Sequence, residues 1–277
     1  MEYEEFMGIF AGTANKKQTI HMNNLSRAEL MEEIEKYTIQ ISANPSDANA
    51  YTQRSLAKLV LKEHDSALKD IDIAIKLSPS AEKHNLRGII NALNEKPDEA
   101  IEDFINATKL DDKDIIAYQN IVEIKMVLQE LDCVQKYKET SPYLDKILSI
   151  DPDNTRALCR RGELNSEYPG DEQKALQDFN KVLELEPKNS MVWLQKGKIN
   201  FYFVKDYEEA RKCYDIAIES DPKNAAAYFE RGVLKYNLKQ YKEAEGSLKE
   251  CMKIKPCGPQ AELASMVLSN ARSAMKK

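Results

Sequence analysis

Apolar and polar positions follow a helical period along most of the chain. Apolar or small residues recur three and four positions apart, and no segment alternates with the period of two that marks a half-buried strand. Between residues 225 and 256 this pattern gives two amphipathic runs separated by the polar pair Lys239–Gln240. The pattern predicts an all-α chain in which helices come in pairs joined by short turns.

The pattern of residues 225–256 recurs along the chain. Its small residues Gly232 and Ala244, and Ala217 in the preceding copy, are predicted to lie where the two helices of a pair approach closely. The same frame closes at Pro45, Pro79, Asp112, Pro152, Pro187, Pro222 and Pro256. Most of these residues are 34 or 35 positions apart, but 40 positions separate Asp112 from Pro152. This recurrence predicts a helical repeat array with one enlarged repeat.

Three groups of residues resemble the tetratricopeptide repeat. They are Trp193-x-x-Lys196–Gly197 with Ala210-x-x-x-Tyr214 and Pro222, Ala100-x-x-x-Phe104, and Ala175-x-x-x-Phe179. The resemblance covers roughly residues 48–256. It implies a right-handed α-solenoid of tetratricopeptide-type helix-turn-helix repeats, in which the first helix of each pair lines a concave groove.

The repeat frame divides the chain into four parts. Residues 1–25 stand outside the frame and are predicted to be either a tail or a docking segment that places its aromatic residues on a partner or on this protein. Residues 26–47 form a half repeat or cap. The array of about six helix pairs occupies residues 48–257, with the enlarged repeat at 115–154. Residues 258–277 are predicted to form a capping helix that covers the last apolar face.

Two features interrupt the regular frame. Six extra residues near 131–140 either lengthen a helix or form a protruding loop, and they are either tolerated drift or an added contact edge. Single extra residues lie near Tyr168–Pro169–Gly170 and near Phe203–Val204.

In the C-terminal helix, the predicted apolar face consists of Leu263, Met266, Val267 and Ala274.

Composition narrows the function classes. Lys and Arg total 40 against 46 Asp and Glu, a net charge of −6, which argues against a nucleic-acid-binding surface. The five cysteines form no CxxC pair, which favours a reducing compartment. No signal peptide and no apolar run long enough to span a membrane is found, so we expect a cytoplasmic protein without membrane insertion.

The sequence contains no recognisable catalytic constellation. It has no Gly-rich phosphate loop, no GxSxG, no HExxH, and no Cys–His pairing implied by spacing. We therefore expect a protein that is not an enzyme and that uses no cofactor and no metal.

The resemblance also implies which residues face the groove. If the family's geometry holds, the inward positions are the second, fifth, sixth and ninth of each first helix. The candidate peptide-binding residues among them are Gln119, Asn120, Glu123, Arg156, Arg160, Met191, Leu194, Lys198, Phe229 and Val233. The apolar members suit an apolar helical or extended peptide. Phe201, Tyr202 and Phe203 either join the groove or fill the packing between helix pairs, and packing is the expected role.

Three of these residues resemble part of a carboxylate clamp. In chaperone-binding members of the family, such a clamp binds the acidic C-terminal tail of a heat-shock protein. Asn120, Arg156 and Arg160 match its second and third parts, with an arginine in place of a lysine. The first part is missing, because Asn85 and Ile89 occupy its positions. The other interpretation of the two arginines is a solvated, salt-bridged helix face.

The sequence as a whole favours a non-enzymatic scaffold or adaptor that binds peptide segments of partner proteins. A co-chaperone-like clamp and an architectural subunit of a larger assembly are the alternatives. The partner and the oligomeric state stay open, because groove specificity follows no portable code.

Overall fold

The computed structural model describes residues 22, 24–127, 132–167 and 171–275. The proposed docking segment and the extra residue near 168–170 lie outside these ranges, apart from Met22, Asn24 and Leu25. Within these ranges the chain is helical, with no strand, and no helix there is long and apolar enough to cross a membrane. The α-helices are α1 (Arg27–Ala43), α2 (Ala48–Val60), α3 (His64–Leu77), α4 (Ala81–Leu93), α5 (Pro97–Leu110), α6 (Ile115–Val127), α7 (Cys133–Ile150), α8 (Thr155–Glu167), α9 (Glu172–Leu185), α10 (Ser190–Ile199), α11 (Tyr207–Ser220), α12 (Ala225–Asn237), α13 (Tyr241–Ile254) and α14 (Pro259–Met275).

The chain divides into two compact units, Met1–Ile150 and Asp151–Lys277. In unit 1, α1 packs on α2 and is followed by the pairs α2–α3, α4–α5 and α6–α7. In unit 2, the pairs α8–α9, α10–α11 and α12–α13 are followed by α14, which packs on both α12 and α13. Within each unit the second helix of one pair contacts the first helix of the next. The predicted all-α stack of helix pairs is confirmed.

Polar side chains start many of these helices. Ser26 and Glu29 form a capping box at the start of α1. Asp206 accepts a hydrogen bond from the backbone N–H of Glu209 at the start of α11. The turns inside several pairs use a residue in the left-handed region. These residues are Lys62, Glu95, Lys205 and Lys239, with φ between 58° and 64°.

Small residues lie where the paired helices touch, as the repeat frame predicted. A Cβ added at Gly197 would lie 2.5 Å from Cε1 of Tyr214, which belongs to the second helix of the same pair. The equivalent added Cβ atoms at Gly88 and Gly162 would lie 2.7 and 2.6 Å from the rings of Phe104 and Phe179. Because these rings are fully buried, only glycine allows the helices to come so close.

A basic residue just before the glycine position links the two helices of several pairs. Arg54 donates to Asp70 at 2.7 and 2.8 Å, and Arg161 makes the same two-pronged contact with Asp178 at 2.8 and 2.9 Å. Arg87 does so with Asp103 and also donates to Asp72 of the preceding pair, at 2.9 Å. The guanidinium groups therefore join helices within and between pairs through charge-assisted hydrogen bonds. These ion pairs were not predictable from the spacing of the repeat.

The enlarged repeat takes up its extra length partly as helix. Its second helix, α7, has 18 residues, whereas α3, α5 and α9 have 14 each. Of the two predicted alternatives, a longer helix therefore accounts for the described part of the insertion. The lengthened end contacts the first helix, since Lys125 donates to Glu139 at 2.8 Å.

The apolar face predicted for the C-terminal helix is wrong in part. The buried residues of α14 are Ala261, Ala264, Leu268 and Ala271. Leu263 and Met266 are exposed, while Val267 packs against the cluster formed with α13. The reason is that small alanines, rather than the largest apolar residues, permit the close approach of α14 to the last pair.

Candidate functional site

The first helices of unit 2 form a row, because α10 contacts both α8 and α12. Residues spaced three or four apart share one side of a helix, so Met191, Gln195, Lys198 and Tyr202 lie along one side of α10 and its extension. We define the first-helix face of unit 2 as nine residues of α8, of α10 with its extension, and of α12, none of which is fully buried. They are Arg156, Arg160, Met191, Gln195, Lys198, Tyr202, Phe229, Glu230 and Val233.

The candidate residues of unit 2 differ in their accessibility. Met191 is 57% exposed, and Lys198 is half-buried. Leu194 is buried in a core cluster with Phe201 and Tyr214. Phe229 and Val233 are half-buried and pack against neighbouring clusters. Met191 is therefore the candidate apolar residue that offers most of its surface to a ligand.

A π-helical turn, Asn200–Val204, extends α10 and absorbs the extra residue that the repeat frame placed there. Such a turn carries one residue more than an α-helical turn, so it rotates the following side chains away from the packed stripe. Phe201 is buried, as expected for packing. The packing prediction was wrong for Tyr202 and Phe203, which are 41% and 52% exposed.

The π-helical turn brings Tyr202 to Glu230 of the next first helix. The Tyr202 hydroxyl donates to Oε2 of Glu230 at 2.9 Å. Burial raises the pKa of Glu230, against smaller lowering effects from this hydrogen bond and from the charge of Lys198. Burial also raises the pKa of Tyr202, and the Glu230 charge adds to that effect. The Glu230 carboxylate is therefore half-buried and only partly compensated by its neighbours.

The hydroxyl of Tyr214 is a second uncompensated polar group. Tyr214 is fully buried, and its hydroxyl has no hydrogen-bond partner among the described residues. Burial raises the pKa of Tyr214, followed by the charges of Glu230 and Tyr202. A buried polar group left without a partner costs stability, and such groups are uncommon in native proteins.

The residues of the clamp hypothesis fall in both units. Arg156 and Arg160 lie four residues apart on α8 and are half-buried. Nη1 of Arg160 donates to Oε2 of Glu163 at 2.8 Å, as the alternative of a salt-bridged face predicted. Asn120 is buried in unit 1, and its Nδ2 has no hydrogen-bond partner among the described residues.

The other candidates of unit 1 offer little surface. Glu123 is buried, and Gln119 is half-buried. The accessible candidate positions are therefore mainly those of unit 2.

Sequence reasoning missed the Tyr202–Glu230 pair. Glu230 stood among the inward positions, but nothing marked it off from other surface carboxylates. The one available signal was the extra residue near Phe203–Val204, which shifts the register of the side chains that follow it.

Two family models match the C-terminal part of the chain. The model described as "TPR repeat" matches residues 205–239, and the one described as "Tetratricopeptide repeat" matches residues 225–256. The second match covers the pair α12–α13, and the first covers α11 and α12.

Curated relatives match parts of the chain. Tetratricopeptide repeat protein 6 of Homo sapiens is 29% identical over 130 residues, which are 47% of this chain and 24% of that protein. Small glutamine-rich tetratricopeptide repeat-containing protein 2 of Saccharomyces cerevisiae is 40% identical over 70 residues, 25% of this chain and 20% of that protein. The chain thus spans about a quarter or less of the length of these relatives.

Solved structures share the fold at low sequence identity. The C-terminal part of a TPR repeat-containing protein from Cytophaga hutchinsonii superposes with a TM-score of 0.67 at 18% identity, over 95% of this chain and 99% of that chain. YrrB, a TPR protein with an unusual peptide-binding site, gives 0.58 at 22% identity, over 70% of this chain and 96% of that chain. A chain of the APC/C hetero-tetramer Cut9–Hcn1 superposes with a TM-score of 0.62 at 16% identity, over 97% of this chain and 51% of that chain.

Proposed function

We propose that this chain, which is a tetratricopeptide-repeat protein, is a non-enzymatic scaffold that binds a segment of a partner protein on the first-helix face of unit 2. The observation that carries the proposal is the composition of this face. It combines the exposed Met191 with the partly compensated carboxylate of Glu230 and the exposed ring of Tyr202. Apolar anchors beside a few polar groups are typical of peptide-binding surfaces.

The fold gives this proposal a precedent. YrrB, which shares the fold, has a peptide-binding site. At 22% identity the likeness concerns the fold, so the residues that bind must be argued from this chain itself.

Peptide selection tests the proposal. We expect that a phage-displayed library of random peptides yields binders to the wild-type protein, and that Met191→Glu weakens them by about tenfold, because it places a charge in the apolar contact. Met266→Glu is the matched control. Met266 is 56% exposed, against 57% for Met191, but it lies on α14 and should leave affinity unchanged.

Two results would contradict the proposal. One is a selection that yields no binder to a folded wild-type protein. The other is an equal loss of affinity in Met191→Glu and Met266→Glu, which would place the binding surface elsewhere.

The peptide selection also tests an alternative function, a clamp that binds the C-terminal tails of heat-shock proteins. Arg156 and Arg160 share one side of α8, which is the arrangement a carboxylate ligand needs. This alternative predicts that the selected peptides are enriched in acidic residues and lose affinity with Arg156→Ala/Arg160→Ala. The further alternative, an architectural subunit, predicts that the isolated chain is unstable or aggregates without its partners.

A cytoplasmic location is part of the proposal. Cys213 and Cys251 occupy buried small-residue positions, and all five cysteines are free thiols. Burial raises the pKa of Cys213 to about 12, so its thiol stays protonated and unreactive. Cys213 and Cys251 therefore serve as packing residues, which suits a reducing compartment.

A further inference from the structure

We propose that Glu230 and Tyr202 form a subsite for a lysine or arginine side chain of the bound segment. This inference rests on the proposed function and specifies the partner: an apolar segment that carries a basic residue.

The hydrogen bonds of Glu230 leave room for a cation. Its Oε2 accepts from the Tyr202 hydroxyl, and no donor to Oε1 is found among the described residues. The charge of Lys198 lowers the pKa of Glu230, so the two side chains are near each other. Among the described residues, however, they form no ion pair within 4.0 Å. A lysine or arginine from a ligand would give Oε1 a charge-assisted hydrogen bond.

The free-energy balance favours such a ligand over others. A half-buried carboxylate is stabilised when an opposite charge approaches it. An acidic segment would add repulsion at Glu230, and a wholly apolar segment would bury its Oε1 without a partner. A basic residue is the occupant that lowers this cost.

The aromatic ring beside the carboxylate supports the same ligand. The ring of Tyr202 is packed against Phe201, with centroids 4.5 Å apart, and Tyr202 as a whole residue is 41% exposed. The methylene groups of a lysine or arginine pack on such a ring, and the cation interacts favourably with its face. The fully buried and unpartnered hydroxyl of Tyr214 is a further polar group whose pKa responds to the charge of Glu230.

The peptide library provides the test, with Glu230→Gln as the variant. We expect wild-type binders to be enriched in lysine or arginine beside apolar residues, and Glu230→Gln to weaken a selected basic peptide by about tenfold. The same peptide with norleucine in place of its lysine should bind the two proteins equally. Glu219→Gln, an equal charge change at an exposed position on α11, is the control and should have no effect.

The outcomes separate this inference from the proposed function. Selected binders that are not enriched in a basic residue would overturn the subsite, but they would still support peptide binding on the first-helix face of unit 2. An unchanged affinity of the basic peptide for Glu230→Gln would do the same. If folded protein selects no peptide, both proposals fail. Lys198→Met removes the protein's own nearby cation and should strengthen the preference for a basic residue.

A stability measurement separates an effect of Glu230→Gln on binding from an effect on folding. Because the pKa of Glu230 is raised in the folded protein, its ionisation on raising the pH costs stability. Tyr202 and Tyr214 beside it stay neutral near neutral pH, because burial raises the pKa of both phenols. Glu230→Gln should therefore have a higher Tm than wild type at neutral pH, and the gain should shrink as the pH falls and Glu230 becomes protonated. A lower Tm at neutral pH would contradict the account of this carboxylate.

Discussion

Gly197→Ala should lower the free energy of unfolding by about 2–3 kcal/mol, which is typical of overpacking a rigid core. The new Cβ would lie 2.5 Å from Cε1 and 2.7 Å from Cδ1 of Tyr214, and 3.2 Å from Cβ of Cys213. Tyr214 and Cys213 are fully buried, so neither can move away without displacing α11. Alanine favours helix by about 1 kcal/mol over glycine, and the clash exceeds this gain. Urea denaturation of both proteins measures the difference.

Gly246→Ala is the matched control for this substitution. Gly246 also lies inside a helix of unit 2, and a Cβ added there meets no atom within 4 Å. With no clash, the gain in helix propensity should raise stability by about 0.5–1 kcal/mol. If both alanine variants change stability in the same direction, the close contact with Tyr214 is not the reason that position 197 requires glycine.

Asp103→Ala should destabilise the protein by about 3 kcal/mol or more. The side chain of Asp103 is 3% exposed and accepts hydrogen bonds from Arg87 and from Nδ2 of Asn91, and His84 lies 3.2 Å away. Removing the carboxylate leaves the guanidinium and the amide without their acceptor in a poorly hydrated site. Thermal and urea unfolding measure the loss.

The control for Asp103→Ala uses the other carboxylate on the same arginine. Asp72 also accepts from Arg87, at 2.9 Å, but its side chain is 44% exposed. Solvent screens an exposed pair, so Asp72→Ala should cost less than about 1 kcal/mol. Equal losses in the two variants would show that burial does not set the strength of these links.

The helix pairs were predictable because their causes are local. Helical periodicity, capping residues and a small residue at fixed intervals all act within one repeat, so each copy strengthened the same prediction. Gly232 and Ala244, for example, were assigned to close packing from spacing alone. The structure places Gly232 against Leu248 and buries Ala244 fully.

The candidate site was less predictable because its features depend on contacts between elements. A single extra residue near Phe203 is compatible with a loop or with a π-helical turn. In this chain it forms the turn, and Tyr202 in that turn contacts Glu230. Leu194 has the spacing of a groove residue, yet it is buried beside Phe201. The Arg87–Asp103 link joins residues 16 positions apart on two helices, a distance that no local rule covers.

Hydrogen exchange of the protein with and without a selected peptide tests most directly whether the first-helix face of unit 2 binds partner segments. The account predicts that the peptide slows exchange in α10, in the π-helical turn after it, and in α12, while α9 and α13 stay unchanged. Slower exchange confined to the second helices or to α14 would contradict it, because the binding surface would then lie on another side of the array.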